Sequence, residues 1–164
     1  MLLYLVRHGE ALSREKDPKR SLSKKGGLEV ERLASFITTN FKISIGIIHH
    51  SGKASAAQTA AILARTMAKS PEVMQSDGLN PMDDPDVWSE RLAVRETDTM
   101  LVGHLPHLSR LASLLLTWNP EVPLLEFDVA TAVCLEGAAG NWLLKWMISP
   151  GTLKQGRASG DDLE

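Results

Sequence analysis

In Met1-Leu2-Leu3-Tyr4-Leu5-Val6-Arg7-His8-Gly9-Glu10, an apolar run leads straight into a cation, an imidazole and a glycine. Such a run reads as a strand buried on both faces, the kind found in parallel sheets. In open α/β sheets ligands bind beyond the carboxyl ends of the strands, so residues leaving a strand there are placed for chemistry. The planar guanidinium of Arg7 suits paired hydrogen bonds to phosphate oxygens. His8, as neutral imidazole, is a nucleophile toward phosphorus. Gly9 lets the backbone turn sharply and a ligand approach closely. Taken alone, the tripeptide reads more simply as a strand ending in a solvated turn, and the rest of the chain has to decide.

Two more segments repeat the pattern. Residues 43–48, Ile-Ser-Ile-Gly-Ile-Ile, are β-branched enough for a buried strand and run into His49-His50-Ser51-Gly52 before a helix. Thr99-Met100-Leu101-Val102 reads as a third core strand, followed by Gly103-His104-Leu105-Pro106 and a helix with Leu108, Leu111, Ala112 and Leu115 on one face. Pro106 suits the first helical turn, where no amide partner is lost. Between the first two strands lies a charged loop over residues 11–21. After it, Ser23 precedes a helix of about four turns with Val30, Leu33, Ala34, Ile37 and Phe41 at 3.6-residue spacing. The second helix presents the small face Ala57, Ala60, Ala61, Ala64 and Met67. Residues 77–85 are a loop by composition. Residues 131–135 and 142–148 flank a turn-rich link, which suggests an antiparallel hairpin. These alternations predict an α/β fold in three layers, α/β/α, with a mainly parallel sheet and an antiparallel C-terminal hairpin. A single domain over residues 1–150 is expected, with residues 151–164 a loose tail.

The chain has 164 residues, 23% of them charged, and a formal net charge of -2, so no overall basic field draws it to nucleic acid or an anionic membrane. The apolar amino-terminal run is too short for a secretory signal, and no stretch approaches a membrane span. The single Cys134 sits in a strand pattern and excludes an internal disulfide framework. A cytoplasmic protein is expected. His49 with His50, or His104 with His107, lacks a carboxylate or cysteine at a telling spacing, so no metal site is read.

Taken in order, several elements resemble the histidine phosphatase superfamily, and within it the small SixA-type phosphohistidine phosphatases. They are Arg7-His8-Gly9-Glu10, Arg20-Ser21-Leu22-Ser23 with Gly26, His50-Ser51-Gly52-Lys53 followed by Gln58-Thr59-Ala60, Gly103-His104-Leu105-Pro106, and Trp146 with Ser149-Pro150. The resemblance covers residues 1–154. It implies a phosphoglycerate mutase-like fold and a metal-independent phosphatase without cofactor. His8 would accept the phosphoryl group, with Arg7 and His104 on its oxygens and Arg20 as a further arginine near the phosphate. The implied substrate is a phosphohistidine-bearing protein, such as a histidine-containing phosphotransfer domain, or a phosphorylated small molecule, with no nucleic acid or membrane partner.

Two departures bear on activity. The family pattern has an arginine three residues before the glutamine, where this chain has Ser55. A charged hydrogen bond is worth about 1.5 to 3 kcal/mol, so its loss weakens the pocket. Lys53 is near in sequence, but two residues along a helix is a different face. Larger superfamily members carry a glutamate general acid where this chain has Gly78-Leu79-Asn80. Asp77, Asp83 and Asp84 are alternative acids, although such residues beside proline and glycine are commonly turn formers. Glu10 is either a surface residue or a group that orients His8. Trp88 reads as core, or as the border of a peptide groove. Two rival readings follow: a phosphate- or phosphoprotein-binding module with little turnover because of Ser55, and a phosphatase of a small phosphate ester.

Overall fold

The structure, a computed structural model, describes residues 1–138 and 140–155. A six-stranded sheet is built from β1 (Leu2–Arg7), β2 (Ile47–His50), β3 (Glu72–Gln75), β4 (Thr99–Gly103), β5 (Ala132–Ala138) and β6 (Asn141–Ile148). The strand order is β3-β2-β4-β1-β5-β6. The first four strands run parallel, whereas β5 pairs antiparallel with β1 and β6 antiparallel with β5. The helices are α1 (Lys24–Asn40), α2 (Ala54–Thr66), α3 (Asp86–Ala93), α4 (His107–Thr117) and α5 (Pro150–Gln155).

Strand alternation divides the core in two. Tyr4, Val6, Met100, Val102, Ala132 and Cys134 face α1 and α2. Leu3, Leu5, Leu101, Val133 and Leu135 face α3 and α4. Side chains that alternate along a strand have apolar partners on both sides, which is why the central strands read as unbroken apolar runs. The three layers and the C-terminal hairpin are as the sequence predicts. Among the described residues no helix is long and apolar enough to cross a membrane.

The first helix begins at Ser23, whose side chain accepts from the amide of Gly26 at 2.9 Å, and it buries Val30, Leu33, Ala34 and Ile37. A serine at this position satisfies one of the orphan amides of the first turn. The last helix face predicted, Leu108, Leu111, Ala112 and Leu115, is buried in α4.

Several expectations are corrected. The second strand is Ile47–His50, not residues 43–48, because its ladder with β3 starts only at Ile47 opposite Glu72. Ile45 is buried without joining the sheet, and His49 and His50 lie inside the strand instead of beyond it. Of the small face expected for α2, Ala60 and Ala64 are buried, as is Met67 just past the helix end, whereas Ala61 is exposed and Ala57 half-buried; Ala56, Thr59 and Leu63 complete the buried side. Strand β3 and helix α3 do not stand out in the sequence: every β3 side chain is exposed, and α3 has eight residues among turn formers. Trp88, at 1% exposure, is core. Residues 150–155 form α5 where a loose tail is expected, and the remainder of that tail, 156–164, lies outside the described residues.

Candidate active site

Strand register assembles the site. Arg7 stands opposite Gly103 across β1 and β4, and His50 opposite Val102 across β2 and β4. His8, Ser51 and His104 therefore leave three adjacent parallel strands at nearly one level, at the carboxyl edge of the sheet. The rings of His8 and His104 lie 4.7 Å apart, tilted by 54°. Ser51 Oγ lies 2.6 Å from His104 Nε2.

The backbone fixes His8 from both sides. Its amide donates to Gly103 at 3.1 Å and its carbonyl accepts from Ala130 at 3.0 Å. Nδ1 lies 2.6 Å from the carbonyl of Gly9. A carbonyl only accepts, so Nδ1 holds the ring hydrogen and the lone pair of the neutral ring sits on Nε2. Burial pushes the pKa of His8 below its ordinary value; the Gly9 carbonyl opposes this, and the charges of Arg7 and Arg20 add to it. Burial, then the charges of His8, Lys53, His107 and Arg20, push His104 down to about 3. Both imidazoles are neutral at pH 7.

Arg7 closes β1 and donates through Nη1 to the carbonyl of Phe127 at 2.6 Å. Its Nε is buried without a partner among the described residues. Burial lowers its pKa and Asp128 opposes the shift. A guanidinium stays protonated throughout, so part of this fork is a fixed cationic donor with no acceptor among the described residues.

The loop after β1 lies hard against α1 and α2. A Cβ on Gly9 would come within 2.7 Å of Val30 Cγ2, and one on Gly26 within 2.1 Å of the Glu10 carbonyl oxygen. Thr59, wholly buried, accepts from the Gly9 amide at 3.1 Å and donates to the Ser55 carbonyl at 2.7 Å.

The remaining sequence candidates divide. Arg20 is exposed, at φ 54°, and its Nε lies 3.4 Å from the Leu12 carbonyl. Its charge reaches both His8 and His104. Lys53, the exposed N-cap of α2, reaches His104 electrostatically, while Ser55 is buried in the first helical turn. Glu10 does not orient His8: its carboxylate accepts from Ser23 Oγ at 2.7 Å and from Lys25 Nζ at 3.0 Å, tying the loop to the start of α1. The acids of the 77–85 loop hold the loop itself. Asp77 pairs with Arg91, Asp83 accepts from the amide and side chain of Asn80, and Asp84 accepts from the amide of Asp86. Among the described residues no three His, Cys, Asp or Glu side chains come together as a metal site.

Sequence reasoning gave Ser51 and Thr59 no role. Both sit inside quoted motifs, but a hydroxyl has no periodic signature, and its partner emerges only with the sheet register.

No protein-family model matches the chain, and no curated protein matches it by sequence. Solved structures do match. The structure of the protein histidine phosphatase SixA complexed with tungstate superposes with a TM-score of 0.79 at 22% identity, covering 93% of this chain and 99% of that one. A protein from Agrobacterium tumefaciens, assigned as phosphohistidine phosphatase SixA, gives 0.75 at 22% identity over 92% and 98% of the two chains. A phosphoserine phosphatase from Entamoeba histolytica, in complex with phosphoserine, gives 0.65 at 18% identity over 93% and 98%. The fold is thus that of the histidine phosphatases. Within that class the chain is similar to the small SixA structures over almost the whole of both.

Proposed function

We propose that the protein is a metal-independent phosphatase of SixA type, which hydrolyses a protein phosphohistidine through a covalent phospho-His8 intermediate. The observation that carries this reading is the His8 imidazole, neutral, with Nδ1 spent on Gly9 and Nε2 without a hydrogen-bond partner among the described residues, beside Arg7 and His104. The fold shared with SixA supports it.

In the first step His8 Nε2 attacks phosphorus and forms a new N–P bond as the N–P bond of the substrate phosphohistidine breaks. The departing imidazole leaves with a proton taken from solvent, so it requires less help from an enzymatic acid than an alkoxide does. Water then attacks the phosphorus of phospho-His8, releasing inorganic phosphate and restoring the free imidazole. Phosphoryl transfer depends chiefly on in-line positioning and on donors around the three equatorial oxygens. Arg7, His104 and Arg20 serve as those donors.

The decisive assay is phosphate release from a phosphohistidine-bearing protein at neutral pH without added metal. His8→Ala is expected to lower the rate by at least about three decades, as removal of a covalent nucleophile does. Unchanged release by that variant overturns the reading. The uncharged, buried Ser55 favours one rival, a module that binds phosphoprotein with little turnover. Binding without release, with turnover gained in Ser55→Arg, would decide for that rival. A small phosphate ester needs an acid for its leaving group, and Asp77, Asp83 and Asp84 are all engaged, Asp77 with Arg91 of α3, Asp83 with Asn80 and Asp84 with the Asp86 amide.

A further inference from the structure

A neutral imidazole has one ring hydrogen, and its position decides whether a given nitrogen donates or accepts. In water that hydrogen sits chiefly on Nε2. In His104, Nε2 faces Ser51 Oγ at 2.6 Å, with Ser51 at 7% and His104 at 5% exposure. Ser51 Oγ has no other hydrogen-bond partner among the described residues, nor does His104 Nδ1.

The hydroxyl is held in place by the backbone. Gly52 turns the chain at φ 81°, and its amide donates to His50 Nδ1 at 3.0 Å, so Ser51 sits in a locked turn at the end of β2. Two arrangements fit the contact. If Nε2–H donates to Oγ, the serine hydrogen has no acceptor in a buried place, and Nδ1 offers only a lone pair to an incoming anion. If Oγ–H donates to Nε2, the serine hydrogen is bonded and Nδ1 becomes a donor. A buried hydroxyl hydrogen left unpaired costs about 1 to 3 kcal/mol, so the second arrangement prevails.

We infer that Ser51 is the positioning residue of this site: its hydroxyl donates to Nε2 of His104, fixes the ring hydrogen on Nδ1 and makes that nitrogen a donor for a phosphoryl oxygen. The last clause rests on the phosphatase reading; the tautomer does not. The two histidines are then set alike. Each carries its hydrogen on Nδ1, but His8 spends it on Gly9 and presents a lone pair, whereas His104 spends its lone pair on Ser51 and presents the hydrogen.

Long-range proton–nitrogen NMR on the 15N-labelled protein reads each histidine tautomer directly, with His104 assigned through His104→Gln. The expected result is Nδ1–H for His104 in the unchanged protein, a shift to mainly Nε2–H in Ser51→Ala, and a return to Nδ1–H in Ser51→Thr. Turnover of a phosphohistidine protein should fall about ten- to a hundredfold in Ser51→Ala, in keeping with a misdirected transition-state donor, and recover in Ser51→Thr. Nε2–H in the unchanged protein overturns the inference, since Ser51 would then be an acceptor. So does a Ser51→Ala variant with unaltered tautomer and rate. If Ser51→Ala does not fold, the tautomer of the unchanged protein decides. Should the tautomers behave as expected while the unchanged protein releases no phosphate, the phosphatase reading fails and the positioning role of Ser51 stands.

Discussion

The cations around His8 and His104 differ in how firmly they are held. Arg7 is anchored by the Phe127 carbonyl, whereas Lys53 makes no ion pair among the described residues and stands exposed at the head of α2. Lys53 and Ser55 do not share a helix, since α2 starts at Ala54 and Lys53 is its extended N-cap, so helical faces do not decide what Lys53 reaches. What counts for Lys53 is nearness to His104, which follows from its place two residues after Ser51. If the site takes phosphate as proposed, Lys53→Ala is expected to weaken binding of inorganic phosphate about tenfold, roughly the worth of one charge-assisted contact, as titration calorimetry at fixed ionic strength will show. Equal affinity in variant and unchanged protein would remove Lys53 from the site. At this scale Arg7, His8 and His104 were legible because each follows an apolar run. The short contacts that set their protonation were not, since Gly9, Ser51 and Thr59 act through a carbonyl or a hydroxyl that any polar turn contains.

Among the elements, α1 shows most clearly how packing beyond the site shapes it. Gly26 and Gly27 are neighbours in its first turns, yet their surroundings are opposite. A Cβ on Gly26 would meet the backbone of Glu10, while one on Gly27 would meet nothing within 4 Å. Gly26→Ala should cost about 1 to 3 kcal/mol through overpacking and displace the loop that carries His8. Gly27→Ala should stabilise by about 0.5 to 1 kcal/mol, because alanine loses less backbone entropy in a helix. Urea denaturation of both variants checks the contrast, and equal midpoints would contradict the packing. The amphipathic helices α1 and α4 were readable from their period. β3 was not, because a strand at the sheet edge with four exposed side chains buries nothing that could leave a pattern. β2 was displaced in the reading because imidazoles count as polar, whereas His49 and His50 are buried, His49 against Trp88 at 5.0 Å.

For the molecule as a whole, buried neutral histidines make acid the natural denaturant. Burial, with other charges assisting or opposing, pushes His49 and His107 down to about 4 and His104 to about 3, each from 6.5. The unfolded chain therefore binds more protons than the folded one between those limits. Stability is full above the unfolded value and falls as pH drops from there toward the folded values, by up to about 1.4 kcal/mol per pH unit for each histidine. Urea midpoints at pH 7.5 and pH 5.0 should differ clearly, the lower pH giving the lower midpoint; a flat profile would mean that these rings are not held neutral. The layered architecture was legible from the order of strand and helix patterns alone, because a parallel sheet with both faces covered leaves few other arrangements. One contact between the loop after β1 and α2 bears on how the two can open. Thr59, wholly buried, joins the amide of Gly9 to the first turn of α2. A surface loop ordinarily opens by trading its hydrogen bonds for solvent, but this contact is closed to solvent, so the His8 segment and the start of α2 are expected to open together rather than separately. The imidazole is accordingly expected to stay in place, and the freedom left around it lies in the exposed side chains of Arg20 and Lys53.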